Sequence, residues 1–175
     1  MRIKKPNSQR CVCGDHAWAR TTRWAVCLVS VEDEDLLQRF AWSLVAAKIG
    51  HDYARSTFGG NRYLHQAVVP GVPMVDHKDG NGLDCRHPNL RPATRSLNRA
   101  NVKTKPRTKS GFRGVYFNSS GRGPEWKVGL KVNKRSIHLG YFESAEDAAR
   151  AYDAAAIKAF GQFATVNFPT GGTLR

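Results

Sequence analysis

The chain has 175 residues, enough for one ordinary domain or two small ones, and its 28 Lys and Arg against 14 Asp and Glu give a formal net charge of +14. A balance this basic points to a polyanionic partner. Nucleic acid is favoured over an acidic membrane surface, because the basic residues interleave with aromatics and glycines instead of lining one amphipathic helix, and no stretch nears the roughly 20 apolar residues that span a bilayer. Met1-Arg2-Ile3-Lys4-Lys5-Pro6 has charge but no apolar segment behind it, so no secretory signal is expected. Four cysteines, Cys11, Cys13, Cys27 and Cys85, are too few and too unevenly placed for a disulfide framework. The expectation is an intracellular, cytoplasmic protein with no membrane partner.

In chain order, Ser30-Val31-Glu32-Asp33-Glu34-Asp35 ahead of Leu36, Leu37, Phe40 and Ala41 reads as a capped helix start, with carboxylates where the helix dipole favours them. Apolar runs at 42–49 and 53–57, separated by Gly50-His51-Asp52, read as a strand pair, and Gly59-Gly60-Asn61 marks the next turn. Residues 63–69 fit a helix or a strand. Pro70-Gly71-Val72-Pro73 then leads into the densest chemical stretch, 75–101, which closes on a short helix opened by Thr94. The run Lys103-Thr104-Lys105-Pro106-Arg107-Thr108-Lys109-Ser110-Gly111 has no apolar residue for a core and reads as a basic linker. It would separate a first domain at 1–102, with its chemical core at 62–102, from a second at 112–170. In that second domain, strand-like segments at 114–117, 126–132 and 136–140 precede a helix over 145–160, capped by Ser144 and ended by Gly161. Ala148, Ala149, Tyr152, Ala155, Ala156 and Ala159 recur at helical spacing, and so small a face lets the helix lie close on a sheet. The expected fold class is α+β, with a β-rich N-terminal segment and a three-stranded antiparallel sheet packed on one helix at the end.

Phosphodiester hydrolysis needs a base for water, a cation for the charge on phosphate and leaving oxygen, and a scaffold that fixes both. Asp76 offers a hard oxygen for Mg²⁺ or Mn²⁺, and His77 titrates near neutrality, as a general base should. Neighbours on a strand point to opposite faces, so the pair needs a distorted strand end or a loop, and Asp79-Gly80-Asn81-Gly82 supplies such a turn. Asn89 and Asn98 follow His77 by twelve and twenty-one residues. One could lock the loop while the other reaches the metal. Cys11, Cys13, His16 and Cys27 invite a zinc reading, but Cys-x-Cys with one distant cysteine lacks the paired-knuckle spacing, and a structural zinc is not expected. Cys85 and His87 read as solvated loop residues.

The order Leu64-His65-Gln66, Val75-Asp76-His77-Lys78-Asp79-Gly80-Asn81, Asn89-Leu90-Arg91 and Asn98-Arg99-Ala100-Asn101 resembles the HNH homing and phage endonucleases. The resemblance implies a ββα-metal core of a two-strand hairpin and a helix clasping one divalent ion. Asp76 and Asn98 would be its ligands, His77 the general base, and Asn89 the residue that orients the loop. His65 is implied to be structural or close to phosphate, and Gln66 stands where the family usually carries a basic residue. A phage or mobile-element origin is also implied.

From 101 to 135 there are ten basic residues against one acidic, Glu125, while 136–175 hold three against four. Charge thus sits on the linker and sheet, as expected when a sheet face meets phosphate. Alternation puts Trp126, Val128, Leu130 and Val132 on one face and Lys127, Gly129 and Lys131 on the other. The second face, with Arg113, Tyr116, Asn118 and His138, could enter a major groove, and Lys134, Arg135, Lys105 and Arg107 add charge beside it. Gly111-Phe112-Arg113-Gly114-Val115, Trp126-Lys127-Val128, Leu139-Gly140-Tyr141-Phe142, the segment 145–153 and Val166-Asn167-Phe168-Pro169 resemble the ethylene-response-factor (Apetala-two) DNA-binding domain. Arg113 matches a base-reading arginine of that family. Tyr116, Ser136 and His138 depart from it, so the fold carries over and the plant target sequence does not.

These readings predict a metal-dependent endonuclease that hydrolyses double-stranded DNA to 5′-phosphate and 3′-hydroxyl ends, acting as a monomer or a dimer. A DNA-binding transcription regulator with an inactive HNH remnant is the alternative. Charge alone leaves RNA open, although a major-groove sheet reader suits B-form DNA better.

Overall fold

A computed structural model describes residues 8–46, 52–57, 60–104, 106–120 and 123–169. Lys105, Gly50, His51 and Gly59 lie outside the described residues. The protein is mixed α+β, with several small sheets and few helices, and the chain divides into two units, Met1–Thr94 and Arg95–Arg175.

In the first unit, β1 (Gln9–Arg10), β2 (His16–Arg20) and β3 (Val26–Ser30) run antiparallel, and β3 also pairs in parallel with the distant β8 (Asp84–Cys85). Alternation along β2 and β3 sends Ala17, Ala19, Cys27 and Val29 into the core. A 3-10 turn (Val31–Asp33) and α1 (Glu34–Arg39) follow, with Leu37 buried. The expected cap by Ser30 is not made. Its hydroxyl instead accepts from the backbone N–H of His87 at 2.9 Å, which ties the start of the 3-10 turn to a distant loop.

The strand pair expected at 42–57 is β4 (Ser43–Val45) against β5 (Tyr53–Ser56), with β6 (Arg62–Tyr63) on the other side of β5. The ambiguous stretch 63–69 resolves as both alternatives: Tyr63 ends β6, and α2 (Leu64–Val68) turns Leu64 and Val68 inward. β7 (Val75–His77) pairs antiparallel with β9 (Leu90–Pro92), and β8 and a 3-10 turn (His87–Asn89) lie in the loop between them. Leu37, Trp42, Ala54, Leu64, Val75, Cys85 and Leu90 join the β2–β3 side chains in one core.

The second unit begins with α3 (Arg95–Ala100) and holds the antiparallel sheet β10 (Val115–Phe117), β11 (Trp126–Val132) and β12 (Arg135–Phe142), followed by α4 (Ala145–Phe160). β12 extends beyond the expected 136–140 because its register with β11 continues to a two-residue turn, Asn133-Lys134. Both turn residues have positive φ, 47° and 70°, as a type I′ hairpin requires. Val115, Val128 and Leu130 meet Ala148, Ala149, Tyr152 and Ala156 in the core. The Ser144 hydroxyl caps α4 by accepting from the Asp147 N–H at 3.0 Å. Gly114 has φ 74°, and a Cβ there would lie 2.1 Å from the Tyr152 ring, so only glycine fits. Buried Asp153 accepts from the Asn167 and Phe168 amides at 2.7 and 2.8 Å, and Asn167 Oδ1 accepts from the Arg113 N–H at 2.6 Å. The segment after α4 is thereby tied to the strand entry. Within the basic stretch before β10, the Thr108 hydroxyl donates to the Phe112 carbonyl at 2.8 Å and the Ser110 hydroxyl to the Val115 carbonyl at 2.9 Å.

Candidate active site and nucleic-acid interface

β7 presents Asp76 and His77 in sequence, and both are buried, at 3% and 5% exposure. Asp76 stands opposite Arg91 of β9 in the register, and Arg91 Nε and a terminal guanidinium nitrogen each lie 2.8 Å from Asp76 Oδ2. Removing one partner of such a buried pair leaves an uncompensated charge and costs about 3–5 kcal/mol. The pair therefore fixes the carboxylate in place. Arg91 was not a sequence candidate; the only hint was its place in Asn89-Leu90-Arg91.

His77 is the last residue of β7, where the chain turns as the Gly80 N–H donates to the His77 carbonyl at 3.0 Å. Its ring is enclosed by others: His65 crosses it edge-on at 5.1 Å, Tyr53 lies at 5.9 Å, and Tyr63 stacks on His65 at 5.6 Å. Gly82 lets this cluster close, since a Cβ there would come within 2.7 Å of the Tyr53 ring and 2.4 Å of the Asp52 carbonyl. Burial, reinforced by the charge of His77, pushes the His65 pKa down to about 4, so at neutral pH it is an uncharged neighbour. Its Nδ1 is buried without a hydrogen-bond partner. Burial also pushes the Tyr53 hydroxyl up, with Asp76 adding to the shift.

Cys85 corrects an expectation. It is fully buried in β8, its Sγ 3.8 Å from His77 Nε2, because the parallel pairing with β3 draws this part of the loop into the core. Burial raises its thiol pKa well above the ordinary value, so it is not a thiolate. His87 is exposed as expected and pairs with Asp33 Oδ2 at 2.9 Å.

Asn89 grips the loop between β7 and β9 from both ends of its amide. Its Oδ1 accepts from the Asp79 N–H at 3.0 Å, and its Nδ2 donates to Asp79 Oδ1 at 2.9 Å and to the Asp84 carbonyl at 2.8 Å. Asp79 Oδ1 and Asn81 Oδ1 each accept from a backbone N–H two residues on, at 2.7 and 3.1 Å, in the Asx turns that these residue types favour. For Asp84, burial pushes the carboxyl up, but the hydrogen bonds and charge of Arg86 outweigh it and hold the carboxyl below its ordinary value. Asn98 lies half-buried on α3, in the second unit. The donor chemistry at Asp76 suits a hard cation such as Mg²⁺ or Mn²⁺: its carboxylate supplies a rigid, hard oxygen, and the nearby sulfur is protonated.

In the second unit, Tyr116, Lys127, Gly129, Lys131, Ser136 and His138 line a shallow groove on the sheet. The register brings Tyr116 and Tyr141 to either side of Lys127, and Ser136 beside Lys131. Tyr116 and Tyr141 are 48% and 53% exposed, and the His138 and Tyr141 rings lie 4.7 Å apart. Tyr141 was missed in the sequence because only the pairing with Lys127 reveals it. Lys134 and Arg135 are exposed at the hairpin end, and Arg107 is exposed before β10. Arg113 and Asn118 do not line the groove. The Arg113 guanidinium donates to the Val102 and Thr104 carbonyls at 2.9 Å each, and Asn118 Nδ2 donates to the Pro124 carbonyl at 3.1 Å. Each closes a loop next to β10.

No family model matches the chain. It is similar to an uncharacterised HNH endonuclease of Acanthamoeba polyphaga mimivirus, with 27% identity over 143 residues, covering 79% of this chain and 73% of that protein. It is also similar to an ethylene-responsive transcription factor-like protein of Arabidopsis thaliana, 49% identical over 45 residues, which is 26% of this chain and 18% of the relative. APETALA2-like protein 2 of Oryza sativa subsp. indica is 45% identical over 62 residues, 35% of this chain and 14% of the relative. The chain thus spans less than a fifth of the length of these plant relatives. Both resemblances read from the sequence have relatives, each at partial similarity. Among the described residues, no helix is long and apolar enough to cross a membrane.

Proposed function

We propose that the chain is a metal-dependent HNH endonuclease that hydrolyses double-stranded DNA, with the sheet of the second unit binding the duplex. The observation that carries this reading is a buried carboxylate and a buried imidazole, Asp76 and His77, adjacent on one short strand whose following loop is clamped by Asn89. His77 takes the proton of the attacking water, and the surrounding rings of Tyr53 and His65 restrict its orientation, which is what a general base needs. His65, uncharged, adds no second positive charge to oppose protonation of His77. Asp76, oriented by Arg91, is the residue of the first unit that would hold the divalent ion. Asn98 enters on its place in the sequence pattern. When bound, the ion would stabilise charge on the phosphate and the leaving oxygen. Lys127, Lys131, Lys134, Arg135 and Arg107 supply phosphate contacts, and Tyr116 and His138 reach toward the groove of the duplex.

The plant similarities favour a second reading, a DNA-binding regulator with an inert nuclease remnant. Supercoiled plasmid incubated with Mg²⁺ or Mn²⁺, with and without chelator, separates the two. Metal-dependent nicking or linearisation is expected of the nuclease, and no conversion on any DNA would leave the regulator.

A further inference from the structure

Away from Asp76 and His77, the first unit gathers three metal-ligating side chains in the turn between β1 and β2. The Cys11 N–H donates to the His16 carbonyl at 2.9 Å, the Gly14 N–H donates to the Cys11 carbonyl at 3.0 Å, and Gly14 takes φ 80°. This backbone brings Cys11, Cys13 and His16 together, so that one ligand atom from each lies within 4.8 Å of the others, with Cys13 Sγ 3.4 Å from His16 Nδ1. A tetrahedral zinc with Zn–S of about 2.3 Å and Zn–N of about 2.0 Å holds sulfur and nitrogen about 3.5 Å apart. The Cys13–His16 spacing is already within a few tenths of an ångström of that value. Cys27, which the sequence grouped with these residues, takes no part: it is buried in the core, donates to the Ala19 carbonyl at 3.4 Å, and its thiol is pushed up to about 11 by burial.

We propose that Cys11, Cys13 and His16 bind one zinc ion, with the fourth position open to water. Two thiolates and an imidazole are soft and borderline donors that select zinc over Mg²⁺ or Mn²⁺, so this site is chemically distinct from the hard-oxygen site at Asp76. Three protein ligands with water in the fourth position is the arrangement of open zinc sites, closed structural sites taking four protein ligands, and the partial exposure of the cluster leaves room for that water. All four cysteines are free thiols, so no disulfide competes. The ion would close the β1–β2 hairpin at one edge of the sheet β1-β2-β3-β8, whose other edge is the β8 segment of the loop after His77. This inference does not depend on nuclease activity.

The test is metal analysis of the full chain, purified reduced and without chelator from zinc-supplemented medium. We expect about one zinc per chain, retained in Cys27→Ala and His77→Ala and lost in Cys11→Ser and Cys13→Ser. Thiol labelling followed by mass spectrometry gives a readout on the unmutated protein: bound zinc should slow modification of Cys11 and Cys13 at least about tenfold, and chelator should restore it. Zinc that persists in both serine variants would overturn the proposal. So would an unmutated chain that takes up no zinc and labels at one rate with and without chelator, or one whose Cys11 and Cys13 are joined as a disulfide.

Discussion

The two units place their candidate functional side chains in opposite ways. In the first, Asp76, His77 and Cys85 are buried and held by partners far along the chain: Arg91 across the hairpin, Tyr53 and His65 around the ring, and the β3–β8 pairing beneath the loop. In the second, Tyr116, Lys127, Lys131 and His138 stand on an exposed face, while a separate set of small residues on α4 makes the core. The first arrangement suits chemistry, which needs fixed donors. The second suits binding to a charged polymer, where many weak contacts add. On the proposed function, substitutions at the candidate active site should entangle stability with activity, whereas those on the sheet face should change affinity and leave folding alone.

The sharpest way to break this contrast lies in the core of the second unit. Gly114→Val would force a side chain into the Tyr152 ring at a positive φ, and a loss of about 3 kcal/mol or more is expected, read as a large fall in the urea midpoint. Next is the pH response of the first unit. Because the folded chain holds His65 down at about 4, below its unfolded value near 6.5, the unfolded state binds the extra proton between those values. Stability from this source is complete above pH 6.5 and falls as pH drops through 4, by about 3 kcal/mol. His65→Phe should flatten the difference in that window, measured as denaturation midpoint against pH, and an unchanged slope would contradict it.

Asn89→Ala removes three hydrogen bonds, one of them to a backbone N–H, and should cost about 1–3 kcal/mol while lowering cleavage more than DNA binding. Equal losses in both would place Asn89 outside the chemistry. The smallest stability effect is expected on the sheet. Lys127→Ala with Lys131→Ala should weaken DNA binding, reduce the salt dependence of log Kd by about two, and leave the unfolding free energy within about 0.5 kcal/mol.

Legibility in the sequence follows the same division. β11 and α4 could be read to the residue because strict alternation, a serine cap and a terminal glycine are local signals. The mixed α+β class and the β-rich N-terminal segment were readable on the same grounds. The candidate residues Asp76, His77, Asn89 and Asn98 stand in the sequence as a spaced motif. Their surroundings were not. The Arg91 pairing, the Tyr53 and His65 rings around His77, and the burial of Cys85 each depend on which strands meet, and residues 12 to 56 positions apart leave no local trace of that. Spacing likewise gave no zinc expectation for Cys11, Cys13 and His16, because a tight turn, not a knuckle, brings them together. Arg113 reads as an exposed sheet residue from its motif, yet nearby carbonyls of the chain claim its guanidinium.

The central claim is that His77 performs the chemistry while the sheet holds the DNA. One paired measurement tests it directly: plasmid cleavage in Mg²⁺ and DNA affinity by a shift assay, for the unmutated chain and for His77→Ala. The account predicts that cleavage falls at least about a hundredfold, the smallest loss typical of a missing general base, with affinity within about twofold. Cleavage at the unmutated rate by His77→Ala would contradict it.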